Sequence, residues 1–355
     1  MLTDEQVKHF REELNTAKHP FFIFDDDPDG LCSFLLLYKM NREGRGMAVK
    51  SIPVVDTKFI RKVEEVGPDK IFILDMPIVD QEFIDKAKAP IYWLDHHPPL
   101  ERNNITYFNP RVRDDSLYIP TSLMAYKISD NKEDLWIGVV GCLADYHMPD
   151  FIDEFIKKYP DLMEKIENIN DTDEDKDQII YHTLLGKLIR IFSFILKGKT
   201  SDMNKCIKIL TRVKTPYEIL NQETSQGKYI YKKFERINVK YEELIDRARK
   251  AKQKANDSLF IFEYSEKEMS FTSELGNELV HFNPDKIVIV AREKSGDMKC
   301  SFRSKSKNVQ RLLEKALVGI EGYGGGHELA CGGSIKKHDW EQFLSNLRRE
   351  INECK

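Results

Sequence analysis

The chain has 355 residues, 41% of them hydrophobic and 32% charged, enough for two domains that each bury a core. A formal net charge of -4 excludes a global basic field, so any nucleic-acid surface has to be made locally. The six cysteines lack a CxxC pair, the opening Met1-Leu2-Thr3-Asp4-Glu5 lacks the layout of a signal peptide, and no apolar run nears the ~20 residues of a membrane span; a reduced, cytoplasmic protein with no membrane partner is expected.

In chain order, Thr3 is placed as the N-cap of a first amphipathic helix. Phe21-Phe22-Ile23-Phe24 reads as a buried strand and ends in Asp25-Asp26-Asp27-Pro28-Asp29-Gly30. A helix over 31–40 follows, its N-terminus facing those acids, with Gly30 permitting the sharp turn. Residues 50–55 read as a strand and 59–66 as a helix. Ile71-Phe72-Ile73-Leu74 is a second apolar run and ends in Asp75-Met76-Pro77. After a helix over 79–88, Ile91-Tyr92-Trp93-Leu94 ends in Asp95-His96-His97-Pro98-Pro99, where the prolines pin the polar triplet on a loop. This alternation predicts an α/β domain with a doubly wound parallel sheet and right-handed crossovers. Ligands bind beyond the carboxyl ends of such strands, and here three strands deliver acids or imidazoles to that edge. Clustered acids repel in a low-dielectric crevice unless a cation neutralises them. The pattern points to bound metal.

Tyr107-Phe108-Asn109 reads as another strand end, Pro120 opens a helix to 129, and a helix over 133–143 leads into Asp145. His147 reads as a packing residue rather than a ligand. Residues 171–175 read as a solvated acidic loop and 179–196 as a helix packed on the first domain. Residues 229–255 form a charged helical linker whose stripe of Tyr231, Phe234, Ile237, Tyr241 and Ile245 makes core contacts. A smaller α/β unit begins at 258, with strands over 259–264, 286–292, 299–303 and 330–335 and helices over 272–280, 308–317 and 340–354. Lys294-Ser295-Gly296-Asp297 is its hairpin turn, and residues 322–327 read as a backbone loop. The expected domains are 1–195, a linker over 196–256, and 257–355.

Asp25-x-Asp27-x-Asp29-Gly30, Asp75, Asp95-His96-His97 and Gly141-Cys142-Leu143-Ala144-Asp145 resemble the four motifs of the DHH phosphoesterase superfamily. Ser301-Phe302-Arg303-Ser304 and Gly324-Gly325-Gly326-His327 resemble its DHHA1 domain. In order and spacing the likeness is to RecJ-like exonucleases and nano-RNases; it covers both ends of the chain and leaves the middle unmatched. The resemblance implies two divalent ions about 3.5–4 Å apart. Asp25 and Asp27 would hold one, Asp29, His96 and Asp145 the other, and Asp75 would bridge them. His97 would contact the scissile phosphate, with Asp95 orienting the histidines. Carboxylates with imidazole suit Mn2+, with Mg2+ the second choice. Many relatives carry histidine where this chain has Asp25, though several RecJ-like members also use aspartate.

The C-terminal motif has its own logic. Three glycines let backbone amides approach an anion, His327 adds a donor, and Arg303 can fork onto a phosphate. Lys305, Lys307 and Arg311 extend a local basic patch. The expected activity is exonucleolytic hydrolysis of single-stranded RNA or DNA and short oligonucleotides to mononucleotides; a homodimer is compatible with it. The rivals are a phosphodiesterase for small nucleotides, such as cyclic dinucleotides or 3'-phosphoadenosine 5'-phosphate, and a non-catalytic replication scaffold.

Overall fold

The computed structural model describes all residues except 51–53, 165, 167–168, 252–256, 266, 268 and 354–355. It begins with α1 (Asp4–Thr16), where the side chains of Thr3 and Gln6 satisfy each other's backbone amides. Then follow β1 (Phe21–Asp25), α2 (Pro28–Asn41), β2 (Arg45–Val49), β3 (Val54–Val55), α3 (Ile60–Val66), β4 (Ile71–Leu74), β5 (Ile78–Val79), α4 (Gln81–Lys86), β6 (Ile91–Leu94) and β7 (Thr106–Phe108). Five strands form a parallel sheet in the order β2-β1-β4-β6-β7, while β3 and β5 pair separately. From β1 the chain first moves outward to β2, then returns to β4 and runs outward the other way. The switch point therefore lies between β1 and β4, where an open sheet leaves its ligand crevice. Every residue of β4 and β6 is buried, as strands covered on both faces must be.

α5 (Thr121–Ser129) and α6 (Leu135–Ala144) pack with α2. Residues 135–143 of α6 are all buried, matching a helix apolar all round. α7 (Ile152–Lys158), α8 (Asp173–His182), α9 (Leu184–Ile195), α10 (Thr200–Leu210), α11 (Pro216–Leu220) and α12 (Ser225–Lys250) follow. The chain divides into two compact units, Met1–Ile237 and Asn238–Lys355, so the division falls within α12. Along its stripe, Phe234, Ile237, Tyr241 and Ile245 are buried core residues.

The second unit contains β8 (Leu259–Tyr264), α13 (Thr272–Phe282), β9 (Ile287–Lys294), β10 (Asp297–Arg303), α14 (Val309–Ala316), β11 (Gly322–Gly326), β12 (Ala330–Lys336) and α15 (Trp340–Glu353). Its sheet order is β11-β12-β10-β9-β8, with β8 and β9 parallel and the other pairs antiparallel. Ser295 and Gly296, both at positive φ (52° and 82°), make the hairpin between β9 and β10. Ile289, Phe302, Leu313, Phe343 and Leu347 fill the core beneath the sheet.

Several local expectations need correction. α2 starts at Pro28 rather than 31, because Asp27 caps it and proline suits the first helical position. Of the strand expected over 50–55, β3 covers Val54–Val55, 51–53 lie outside the described residues, and a separate strand, β2, precedes it at Arg45–Val49. The helix expected over 79–88 spans only Gln81–Lys86. The acidic run is not a loop: Asp173, Glu174 and Asp175 make the first turn of α8, capped by Thr172, where the helix dipole favours acids. The helix expected over 179–196 is broken at Thr183, which caps α9. Residues 322–326 are not a loop but an edge strand, paired with 331–335 of β12.

Gly30 also serves differently from the expected turn, since it lies inside α2. A Cβ there would sit 2.7 Å from the Asp25 carbonyl oxygen and 2.9 Å from the Asp25 amide nitrogen. Glycine is needed for close packing of α2 on β1. An alanine inside a helix ordinarily stabilises by up to about 1 kcal/mol, but here overpacking reverses the sign. Gly30→Ala is expected to destabilise by about 1–3 kcal/mol. Chemical denaturation checks this, and an unchanged or raised midpoint would refute the close-packing account.

Candidate metal centre

A different local device brings each acid to the carboxyl edge of the first sheet. Asp25 ends β1, and its Oδ1 accepts from the Asp26 amide at 2.8 Å. Asp27 caps α2 by accepting from the Gly30 amide at 2.8 Å. Asp29, in the first turn of α2, accepts from two amides at the start of α5: Thr121 N–H to Oδ2 at 2.8 Å and Ser122 N–H to Oδ1 at 2.9 Å. Asp75 follows β4 with φ of 57°, a left-handed conformation that aspartate tolerates better than most side chains. Its Oδ1 accepts from the Thr121 hydroxyl at 3.1 Å and lies 3.3 Å from His96 Nε2. The buried Trp93 indole donates to the Met76 carbonyl at 2.9 Å and stacks on Tyr107 at 4.0 Å, fixing the bend that carries Asp75. Asp145 ends α6, and its Oδ2 accepts from the Tyr118 hydroxyl at 2.8 Å.

The two histidines have separate surroundings. Asp95 is fully buried and holds His97, accepting from its Nδ1–H at 2.8 Å and its backbone N–H at 3.1 Å. Tyr107 donates to Asp95 at 3.2 Å, and Asn109 donates to the His97 carbonyl at 2.8 Å. With Asp95 as the acceptor in this bond, Nδ1 bears the hydrogen and Nε2 is left for a ligand. His96 is buried, and its Nδ1 has no hydrogen-bond partner. That atom lies 3.8 Å from Asp145 Oδ2, too long for a hydrogen bond yet close enough for one ion to touch both.

Two groups of side chains converge closely enough to share an ion: Asp29, His96 and Asp145, and Asp75, His96 and His97. Asp25 and Asp27 fall outside both groups but belong to the same electrostatic cluster. Burial, reinforced by Asp27 and Asp26, pushes Asp25 up to about 8. Burial raises Asp27 and Asp75 as well, each reinforced by Asp29. Burial pushes Asp145 up to about 7 against the pull of His96. For His96, burial opposes charging, but Asp145, Asp29 and Asp95 drive its pKa up. Hard carboxylate oxygens around an orphaned buried imidazole nitrogen fit a divalent cation well.

His147 is half-buried, with its pKa lowered by burial, and joins neither convergent group. Sequence reading missed the supporting donors Tyr107, Asn109, Tyr118, Thr121 and Ser122. Asn109 had a signal, since it follows β7 at the same edge; Tyr118 had none, because its stretch has no periodicity.

The other site candidates lie in the second unit. Gly324 is pressed by α14, for a Cβ there would lie 2.6 Å from Leu313 Cδ2. Gly326 has φ of 146°, and Gly325 faces open space. His327 is exposed and begins the turn from β11 into β12, its amide donating to the Ala330 carbonyl at 2.8 Å. Arg303 ends β10, its Nε donating to Asn277 at 2.5 Å and its Nη1 to the carbonyls of Phe302 and Cys331 at 2.9 and 3.0 Å. A phosphate gripped by that guanidinium would compete with Asn277.

Residues 21–154 match the DHH family, N-terminal domain, and residues 256–353 match the DHHA1 domain. The chain therefore belongs to the DHH phosphoesterase family and carries its DHHA1 domain. Its fold is shared with RecJ from Thermus thermophilus in complex with Mn2+, at TM-score 0.72 and 14% identity, over 99% of this chain and 56% of that one. The chain thus spans little more than half the length of that relative. The DHH domain of PF0399, a member of the s1p family of ribosomal proteins, aligns at TM-score 0.69 and 13% identity, over 98% of this chain and 89% of that one. CDC45 from Entamoeba histolytica aligns at TM-score 0.54 and 10% identity, over 98% of both chains. No curated protein sequence matches the chain.

The raised acids set a pH dependence. Their folded pKa values exceed the unfolded value near 3.8, so protonation favours the fold, and that stability is lost as pH rises through about 7 and 8. Metal-free protein is expected to melt at lower temperature at pH 8.5 than at pH 5.5. A divalent cation such as manganese, if held by the ionised carboxylates, should raise the melting temperature more at the higher pH. Scanning calorimetry at both pH values with and without MnCl2 checks this; an equal manganese shift at both refutes the assignment of the acids to a cation.

Proposed function

We propose that the protein is a metal-dependent phosphodiesterase acting as an exonuclease on single-stranded RNA or DNA, with short oligonucleotides as good substrates and mononucleotides as products. The observation that carries this reading is the buried His96 among Asp29, Asp75 and Asp145, with its Nδ1 left without a hydrogen-bond partner. Asp25 and Asp27 would hold one Mn2+, Asp29, His96 and Asp145 a second, and Asp75 would lie between them; Mg2+ is the alternative occupant. When bound, such ions neutralise phosphoryl charge and make water nucleophilic near neutral pH. His97, fixed by Asp95, would direct Nε2 at the scissile phosphate. Residues 1–195 would carry the chemistry, 196–256 the connection, and 257–355 the grip on the substrate through Arg303, His327 and Gly324 to Gly326. Cys32, Cys142, Cys206, Cys300 and Cys331 are free and buried, which supports a reducing, cytoplasmic setting. Among the described residues no helix is long and apolar enough to cross a membrane. A non-catalytic scaffold would have no use for so many converging carboxylates.

A digestion series with 5'- and 3'-labelled RNA and DNA of several lengths in manganese tests the reading. Asp75→Asn is the control and should lose activity by orders of magnitude. Near-normal turnover by that variant would refute the two-metal assignment. His96→Ala should weaken manganese binding, with partial rescue by excess metal. His97→Ala should keep its manganese while turnover falls. Equal loss of metal in both, measured by titration, refutes this division of labour.

The second domain has its own test. Contacts away from the cleaved bond contribute to rate through positioning, and a dinucleotide has few others to rely on. A longer strand compensates along its backbone. Arg303→Ala and His327→Ala are expected to depress cleavage of dimers and trimers more than of long strands, and to spare a small activated phosphodiester. Equal damage to that small substrate would make the domain a structural support only.

A further inference from the structure

The entry to α5, residues 118–122, touches four of the candidate ligands within five residues. Thr121 and Ser122 hold Asp29 through their amides, and Thr121 also reaches Asp75 through its hydroxyl. Tyr118 covers the other two: its hydroxyl donates to Asp145 Oδ2 at 2.8 Å, and its ring meets the His96 ring edge-on at 5.3 Å. Tyr118 lies in an irregular stretch and is 44% exposed. Its exposure sets it apart from the buried Gly30, Thr121 and Ser122, which hold Asp27, Asp29 and Asp75. Its hydroxyl is spent on one residue, reaching Asp145 Oδ2 and, at 3.4 Å, the Asp145 carbonyl.

Asp145 needs such a partner more than the other acids do. Asp29 is clamped by two amides, whereas Asp145 sits at the end of α6. Its Oδ2 faces the orphaned Nδ1 of His96 across 3.8 Å. A modest side-chain rotation would close that gap to an ordinary hydrogen bond of about 2.9 Å. Both donor atoms would then be spent on each other. The Tyr118 hydroxyl satisfies that same oxygen at 2.8 Å, and the 3.8 Å separation from His96 remains.

We infer that Tyr118 is a positioning residue that holds Asp145 apart from His96, so that both remain available to one divalent ion. The inference rests on the metal reading given under the proposed function. Hydrogen bonds from outside the ligand set to ligating carboxylates typically govern affinity by 10–100-fold. Tyr118→Phe keeps the ring and its contact with His96 and removes only the donor.

The test is manganese binding to the metal-free, full-length chain, read from the electron paramagnetic resonance signal of free Mn2+. Metal-free thermal stability is measured alongside. Tyr118→Phe is expected to raise the manganese Kd about tenfold. Its metal-free melting temperature should match that of the wild type, and saturating manganese should restore most of its turnover. A variant that binds manganese as tightly as the wild type overturns the inference alone. A weaker affinity matched by a lower metal-free melting temperature also overturns it, in favour of a merely structural role. Wild-type protein that binds no manganese overturns the metal reading and this inference together.

Discussion

The rest of the site depends on the mutual repulsion of Asp25, Asp27, Asp29, Asp75 and Asp145 at one buried edge. In water such charges barely interact, but in a low-dielectric crevice each raises the cost of ionising the next. The surrounding groups fix these carboxylates without neutralising them. Asp29 takes two backbone amides, Asp27 one amide, Asp75 a hydroxyl and Asp145 a phenol. Among the described residues, the basic side chain within ion-pair distance of any of these five is the His96 imidazole; no lysine or arginine reaches them. Neutral donors set geometry and leave the negative charge in place. That arrangement destabilises a metal-free site and favours a multiply charged cation.

The sheet explains why acids so far apart in sequence meet. Phe24 pairs with Leu74, and Leu74 with Leu94, so Asp25, Asp75 and Asp95 occupy equivalent places one step beyond three adjacent strands. From that common row local backbone sends them different ways. Asp75 turns through a left-handed residue, whereas Asp95 stays beneath the loop and spends its oxygens on His97, Tyr107 and Asn109. One register thus yields an acid facing the crevice and another that serves a histidine. The triplet Asp95-His96-His97 consequently divides into one anchor and two rings with different surroundings.

The sheet was legible because β1, β4 and β6 are buried on both faces and read as unbroken apolar runs. The acids were legible because each follows such a run. Less visible were contacts made by backbone or by residues outside any period. Nothing in the composition of Thr121 and Ser122 says that their amides clamp Asp29. Nothing around Tyr118 says that it reaches Asp145, 27 positions on. Charge density misled at 171–175, where acids signalled solvent but in fact supply the favoured first turn of a helix. Glycine density misled at 322–326, since an edge strand opposite Gly332 and Gly333 accommodates glycine as readily as a loop does.

A site that stores repulsion and a left-handed aspartate needs rigid support, and the support lies under the edge. Phe22 stacks on Phe72, Phe72 on Tyr92, and Phe24 on Phe34, joining β1, β4, β6 and α2 into one aromatic layer. Such contacts contribute about 0.5–1.5 kcal/mol each beyond the area they bury. They do so regardless of the protonation of the acids above them. In the core on the other face of the sheet, Trp93 bonds the Met76 carbonyl, beside the left-handed Asp75. Local strain of about 1–3 kcal/mol persists only where surrounding structure over-determines it. In this fold the Thr121 hydroxyl and the His96 ring meet the Asp75 side chain while the buried indole bonds the carbonyl of the next residue, so the backbone bend is held from both sides.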